Sequence, residues 1–178
     1  MEGYVATLTY LFAVGTVLLG LLVCSVVVTR LTMGVWLPAS VDGVVRAWAL
    51  HAVALLSTFG TILSLFYSEV VGFTPCVLCW LARTMLFPLS VITLIAAWRN
   101  DVTVRPYVLA LSLVGMLITG YHHLYQMGFT SGALCNALEG GGGCDKLYVL
   151  EFGFVTMPFM GLTLFAATAL LAWLMRKA

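Results

Sequence analysis

Residues 75–98 read PCVLCWLARTMLFPLSVITLIAAW, and the reading of this stretch decides the fold. From Cys79 to Trp98 it holds a single charged residue, Arg83, and is long enough as a helix to cross a bilayer core of about 30 Å. Its leading end holds Pro75, Cys76 and Cys79, a CxxC at the point where such a helix would begin. Backbone groups in lipid must bond within their own segment, so the stretch is expected to be helical. Four other stretches share its character, near Tyr4–Val28, Ala47–Ser68, Tyr107–Met127 and Phe152–Met175. None alternates as a lipid-facing barrel strand does. The expectation is an all-α, polytopic membrane bundle with five spans.

Composition agrees. Of 178 residues, 62% are apolar and 8% charged, whereas a soluble domain carries about 25% charge, so a soluble enzyme is excluded. The net charge of +1 offers no electrostatic footprint for nucleic acid. Glu2, the absence of a basic residue ahead of the first apolar block, and the length of that block separate it from a cleaved signal peptide. It reads as a retained helix.

The few basic residues set an orientation. Five spans place Arg30, Arg46, Arg99, Arg105, Arg176 and Lys177 on one side, six of the eight basic residues. The other side keeps Lys146, with Arg83 just inside a helix. The N-terminus is therefore expected outside a cytoplasmic membrane and the C-terminus in the cytosol. Cys76, Cys79, Cys135 and Cys144 then share the outer, oxidising side, where disulfides persist. Cys24 falls at the opposite face and reads as a small, buried apolar residue.

A CxxC alone serves zinc sites and redox sites equally. Here Pro75 suits a helix start, and cysteines in a first turn meet free N–H groups and a dipole that favour the thiolate. Arg83 follows Cys79 four residues on, on the same face, where a guanidinium lowers a thiol's pKa and can hold an anionic ligand. An ionisable residue within a span is a functional candidate, the alternative being that it snorkels to the headgroups. Cys135 and Cys144 follow a different pattern, with Gly140–Gly143 leading into the second cysteine. Closing this loop is worth about 2.7 kcal/mol. A mobile, exposed disulfide is expected, open to thiolate attack. Leu147-Tyr148-Val149-Leu150 is expected to lie along the membrane surface and limit the loop's travel. His122 and His123 point about 100° apart on a helix, so they cannot both face one site.

Pro75-Cys76-Val77-Leu78-Cys79-Trp80-Leu81-Ala82-Arg83 resembles the PCxLC-aromatic-x-x-Arg signature of disulfide-bond formation protein B, the DsbB family. The order of the two cysteine pairs around a hydrophobic hairpin, Tyr121-His122-His123 with Gln126, and Phe152-Gly153 before Met157-Pro158 are similar as well. The resemblance covers about Ala47–Met175 and implies a four-helix redox domain over residues 47–178. Residues 1–46 are then an extra N-terminal transmembrane helix and a cytosolic loop. It also implies a thiol:quinone oxidoreductase that reoxidises a soluble, extracytoplasmic, DsbA-like thiol oxidase of thioredoxin type. On this reading the partner attacks Cys135, Cys144 attacks Cys76, and Cys79 is freed beside a membrane quinone, ubiquinone or menaquinone. Arg83, Cys79 and His123 border that quinone, and no resident metal is expected.

The chain departs from the family pattern in its added first helix, its close-set second pair, and Ala82 before Arg83. The vitamin K epoxide reductase family uses similar parts with the loop pair ahead of the CxxC, the reverse of the order here. Competing readings are a zinc site built from the four outer cysteines and a histidine, and a structural bundle with two inert disulfides. A haem protein is disfavoured because His51 lies at the opposite face from His122 and His123.

Overall fold

The computed structural model describes residues 2–34, 39–139 and 143–175. Six α-helices follow in chain order: α1 (Glu2–Met33), α2 (Ala39–Leu65), α3 (Val77–Arg99), α4 (Arg105–Gln126), α5 (Ala133–Glu139) and α6 (Met157–Leu174). Among the described residues the only strand-like pairing is a bridge between Glu151 and Val155. Five helical segments are long and apolar enough to cross a membrane: Gly3–Thr32, Ala47–Val70, Val77–Arg99, Val102–Gln126 and Met157–Leu174. The all-α, five-span expectation agrees with this.

Helices α2, α3, α4 and α6 pack in a closed ring, and α1 lies outside it against α6. Lipid gives apolar side chains no reason to leave it, so close backbone approach and buried polar pairs hold such bundles together. Both are present. Gly115 of α4 faces the fully buried Phe165 of α6, and a Cβ on Gly115 would sit 2.5 Å from that ring. Ser57 pairs with Thr93 across α2 and α3 at 3.0 Å, and Ser112 with Thr168 across α4 and α6 at 2.9 Å.

The helices end where local chemistry dictates. Asn100 adopts a left-handed conformation (φ 51°) after α3, and the Asp101 carboxylate accepts from Thr103 N–H at 2.9 Å, turning the chain into α4. Arg105 donates to the carbonyls of Ala172 and Trp173 at the end of α6, where a cation meets the negative pole of the helix. The last span begins at Met157 rather than near Phe152. Glu151–Val155 closes a tight turn with Phe152 and Gly153 at positive φ, and Thr156 caps the helix by accepting from Phe159 N–H. Apolar content alone placed Phe152 inside the helix; turn geometry excludes it.

At one end of the bundle lie Cys76, Cys79, Cys135 and Cys144, together with a π-helical turn, Phe66–Val70, that extends α2. Within that turn Tyr67 is buried and its hydroxyl pairs with Thr9 of α1 at 3.0 Å. Arg176, Lys177 and Gly140–Gly142 lie outside the described residues.

Candidate redox-active site

The site is built from three chain segments. Cys76 stands at the N-cap of α3 with extended backbone (ψ 174°), and Cys79 lies three residues into the helix. Their sulfurs are 3.3 Å apart as free thiols. Cys135, on α5, is joined by a disulfide to Cys144. Cys76, Leu78, Cys135 and Cys144 form one buried cluster, with Cys79, Tyr121 and Tyr125 packed against it. The two pairs that the spacing assigned to one face therefore touch through a common core.

The end of α4 holds this arrangement. His122 Nε2 lies 3.8 Å from Cys76 Sγ and 3.1 Å from the Cys144 carbonyl oxygen, so a single nitrogen spans both pairs. Gln126 Nε2 donates to the carbonyl of Lys146 at 3.3 Å and reaches that of Cys144 at 3.5 Å. The Tyr121 hydroxyl donates to the Ser131 carbonyl at 2.8 Å and accepts from Leu134 N–H at 3.2 Å, fixing the start of α5 next to Cys135. The Cys76 thiol is brought down to about 4, first by its hydrogen bond with Cys79 and then by His122, against burial acting upward. A thiolate is thus favoured at Cys76, at the mouth of α3.

The loop disulfide is not exposed. Cys135 and Cys144 are each 1% accessible, packed with Cys76 and Leu78 and flanked by Leu81, Tyr121 and Tyr125, while an aromatic ladder holds the segment after Cys144. Tyr67 stacks on Phe73 (5.8 Å, 7°), Phe73 stacks on Tyr148 (4.5 Å, 19°), and the Tyr148 hydroxyl donates to Thr74 O at 3.3 Å. In the segment Leu147–Leu150, Val149 is buried and Tyr148 packs inward, while Leu147 and Leu150 stay exposed. The glycine run suggested freedom, but these contacts dominate the segment that follows it. The short helix α5 was equally absent from the sequence expectation: seven residues carry too little periodicity to announce it.

Arg83 is 7% accessible and turned towards α2. Its Nε donates to Ser64 Oγ at 2.9 Å and its Nη2 to Ser64 O at 2.7 Å, with the Trp80 ring 5.2 Å from the guanidinium carbon. It links α3 to α2 one turn below Cys79. His123 is turned to α6, with Nδ1 3.0 Å from Thr156 Oγ1 and its ring 5.1 Å from that of Phe159. His122 is therefore the histidine at the cysteines. Its signal was present as the stripe Val108, Ser112, Gly115, Thr119, His122, whose alternating spacings of four and three mark the buried face of α4. Cys24 was expected to be buried, but it is exposed on α1, because that helix lies outside the ring and covers little of its own surface.

A cavity of about 30 Å³ lies beside Cys76, Cys79 and His122 and is bordered by Gln126, Lys146 and Tyr148. It has room for a water-sized occupant and not for an aromatic ring.

The family model described as disulfide bond formation protein DsbB matches residues 45–175. Among similar proteins, the SPbeta prophage-derived disulfide bond formation protein B of Bacillus subtilis is 41% identical over 111 residues, 62% of this chain and 74% of the relative. Disulfide bond formation protein C of the same organism is 37% identical over 124 residues, 68% of this chain and 86% of the relative. A probable disulfide formation protein of Chlamydia trachomatis is 39% identical over 136 residues, 75% of this chain and 96% of the relative. No solved structure matches the chain.

Proposed function

The chain belongs to the DsbB family of disulfide bond formation proteins and is a disulfide-forming membrane protein, and from that premise we propose that it passes electrons from a soluble dithiol to a membrane quinone. The electron donor is a reduced, DsbA-like thiol oxidase of thioredoxin type on the outer side of the cytoplasmic membrane. The observation that carries this reading is the shared core of Cys76, Cys135 and Cys144 with His122 spanning both pairs. Two inert staples have no need of such contact.

The electron flow balances by exchange. A partner thiolate attacks Cys135, breaking the Cys135–Cys144 bond, forming a mixed disulfide and freeing the Cys144 thiolate. Cys144 attacks Cys76 of an oxidised Cys76–Cys79 pair, forming an interpair disulfide and freeing the Cys79 thiolate. The partner's second thiolate resolves its mixed disulfide and leaves oxidised. Cys135 then attacks Cys144 and releases Cys76, so the CxxC pair now holds the two electrons. Because Cys135 is buried, the first attack requires the loop to lift from Tyr121, Gln126 and Phe73. His122 keeps Cys144 over Cys76 and stabilises the thiolate released there.

On this reading a quinone sits on the outward side of α3. The cavity between Cys79 and His122 excludes its ring, whereas Cys79 is half-buried beside the exposed Trp80, with the Arg83 cation one turn deeper. Cys79 and Arg83 would hold it, and His123, at the start of α6, would border it. When bound, a quinone accepts two electrons and two protons. The residues of the chain present the Cys79 sulfur, released by the exchange, and a fixed positive charge at Arg83.

The same reading divides the chain into residues 1–46, an added span and its loop, and residues 47–178, the redox bundle; the position of α1 outside the ring supports this division. Quinone reduction by the purified chain with a reduced thioredoxin-like partner tests the proposal. Cys79→Ser is expected to abolish quinone reduction and Cys135→Ser to abolish partner oxidation. Full activity in either variant overturns it.

A further inference from the structure

We propose that Cys76, Cys79 and His122 form, in the dithiol state, a three-ligand site for a thiophilic closed-shell cation, Zn²⁺ in the first instance. The site exists only while the pair is reduced. The inference stands on geometry and ligand chemistry and does not depend on the identity of the electron acceptor.

The donor atoms of these three residues all lie within 4.8 Å of one another. The sulfurs are 3.3 Å apart, and Cys76 Sγ is 3.8 Å from His122 Nε2. In a tetrahedral site with Zn–S near 2.3 Å and Zn–N near 2.0–2.1 Å, two sulfurs stand about 3.8 Å apart and a sulfur and nitrogen about 3.6 Å. The Cys76 Sγ–Nε2 separation is already within a few tenths of an ångström of this value, the sulfurs must part by about half an ångström, and Cys79 Sγ, within 4.8 Å of the His122 ring nitrogen, must close on it by a side-chain rotation. The cavity of about 30 Å³ bordered by the same three residues accepts a cation with a water, and no larger ligand. In the ion-free site Nε2 donates to the Cys144 carbonyl oxygen at 3.1 Å; an ion takes the place of that proton, and water completes the shell. Lys146 also borders the cavity, but its ammonium sits over the Tyr148 ring, 4.7 Å from the centroid.

Charge balances as well. Two thiolates neutralise Zn²⁺, and a neutral His122 protonated on Nδ1 supplies the third donor, with the two thiol protons passing to solvent. Oxidation of the pair forms the Cys76–Cys79 bond, sends two electrons to the oxidant and releases Zn²⁺ unchanged. The loop cysteines take no part, since they are joined to each other. This separates the site from one made of four thiolates. A bound ion occupies both sulfurs of the pair and so holds it out of the exchange sequence.

The test uses the full-length chain in detergent, reduced only until Cys76 and Cys79 are free while the buried Cys135–Cys144 disulfide is retained, as thiol counting shows, then freed of reductant and titrated with Zn²⁺ alone. Bound metal is counted by elemental analysis, and Co²⁺ is used to read thiolate-to-metal charge-transfer absorption. The expected result is one ion per reduced chain and none after oxidation by a disulfide-forming reagent. Affinity is expected to fall about 100-fold in Cys76→Ser or Cys79→Ser and about 10-fold in His122→Ala. His122→Gln, which still donates to the Cys144 carbonyl, guards against a folding defect and is expected to bind as weakly as His122→Ala. Cys24→Ser, and the double variant Cys135→Ser with Cys144→Ser, are expected to bind normally. Undiminished affinity in both His122 variants, binding by the oxidised chain, dependence on Cys135 and Cys144, or absence of stoichiometric metal would each overturn the assignment.

Discussion

At the scale of single residues, two neighbours in sequence have unlike surroundings. His122 lies between the cysteine pairs, and His123 lies against Thr156 and Phe159 of α6. A hydrogen bond to a charged group contributes about 1.5–3 kcal/mol, so His122→Ala is expected to slow transfer between the pairs about ten- to hundred-fold, measured by acid-quenched trapping of the interpair disulfide. A rate equal to that of the unaltered chain would leave His122 a packing residue. Arg83 offers a second case. Its fork holds Ser64 through two nitrogens, which an ammonium cannot reproduce. Arg83→Lys is expected to raise the apparent KM for quinone and lower stability by about 1–3 kcal/mol, whereas Ser64→Ala lowers stability alone. Steady-state kinetics and thermal unfolding in detergent separate the two effects. That Arg83 mattered was legible from its place in a span. That Ser64 receives it was not, because nineteen residues separate them in sequence and only the packing of α2 on α3 joins them.

At the scale of elements, the outer loop shows where local composition misleads. Glycine before Cys144 predicts freedom, but Lys146 and Tyr148 just after it are pinned, the first by Gln126 of α4 and the second by Phe73 and Thr74. Tyr148→Ala removes one aromatic stack, worth about 0.5–1.5 kcal/mol. Reduction of the Cys135–Cys144 disulfide by a small thiol is expected to accelerate about two- to tenfold, followed by alkylation of the released sulfurs. An unchanged rate would remove the ladder as the restraint on the loop. The α4–α6 contact makes a separate prediction. Gly115→Ala gains helix propensity but drives a methyl into the buried Phe165 ring, and overpacking of about 1–3 kcal/mol outweighs the gain of about 1 kcal/mol. A lowered thermal midpoint in detergent is the expected outcome.

For the whole molecule, the alternation of five spans brings the N-terminus of α1, the CxxC and the cysteine loop to one end, with Arg30, Arg99 and Arg105 at the other. The basic residues predict that this second end faces the cytosol. A reporter fused after residue 178 is expected to be active only in the cytosol, and activity only outside would reverse the orientation. Spans, cysteine spacing and the family signature were legible in the sequence because each depends on residues close together in the chain: about twenty apolar residues make a span, and four make a CxxC. Their sequence by itself determined a helical membrane protein with two cysteine pairs at one end. Only the tertiary structure decided that the pairs share a core, that the loop disulfide is buried, that Arg83 is held by Ser64, and that His122 rather than His123 meets the cysteines. The physical reason is that hydrogen bonds and contact distances act through space, and the rotation of each helix about its own axis is settled by its neighbours.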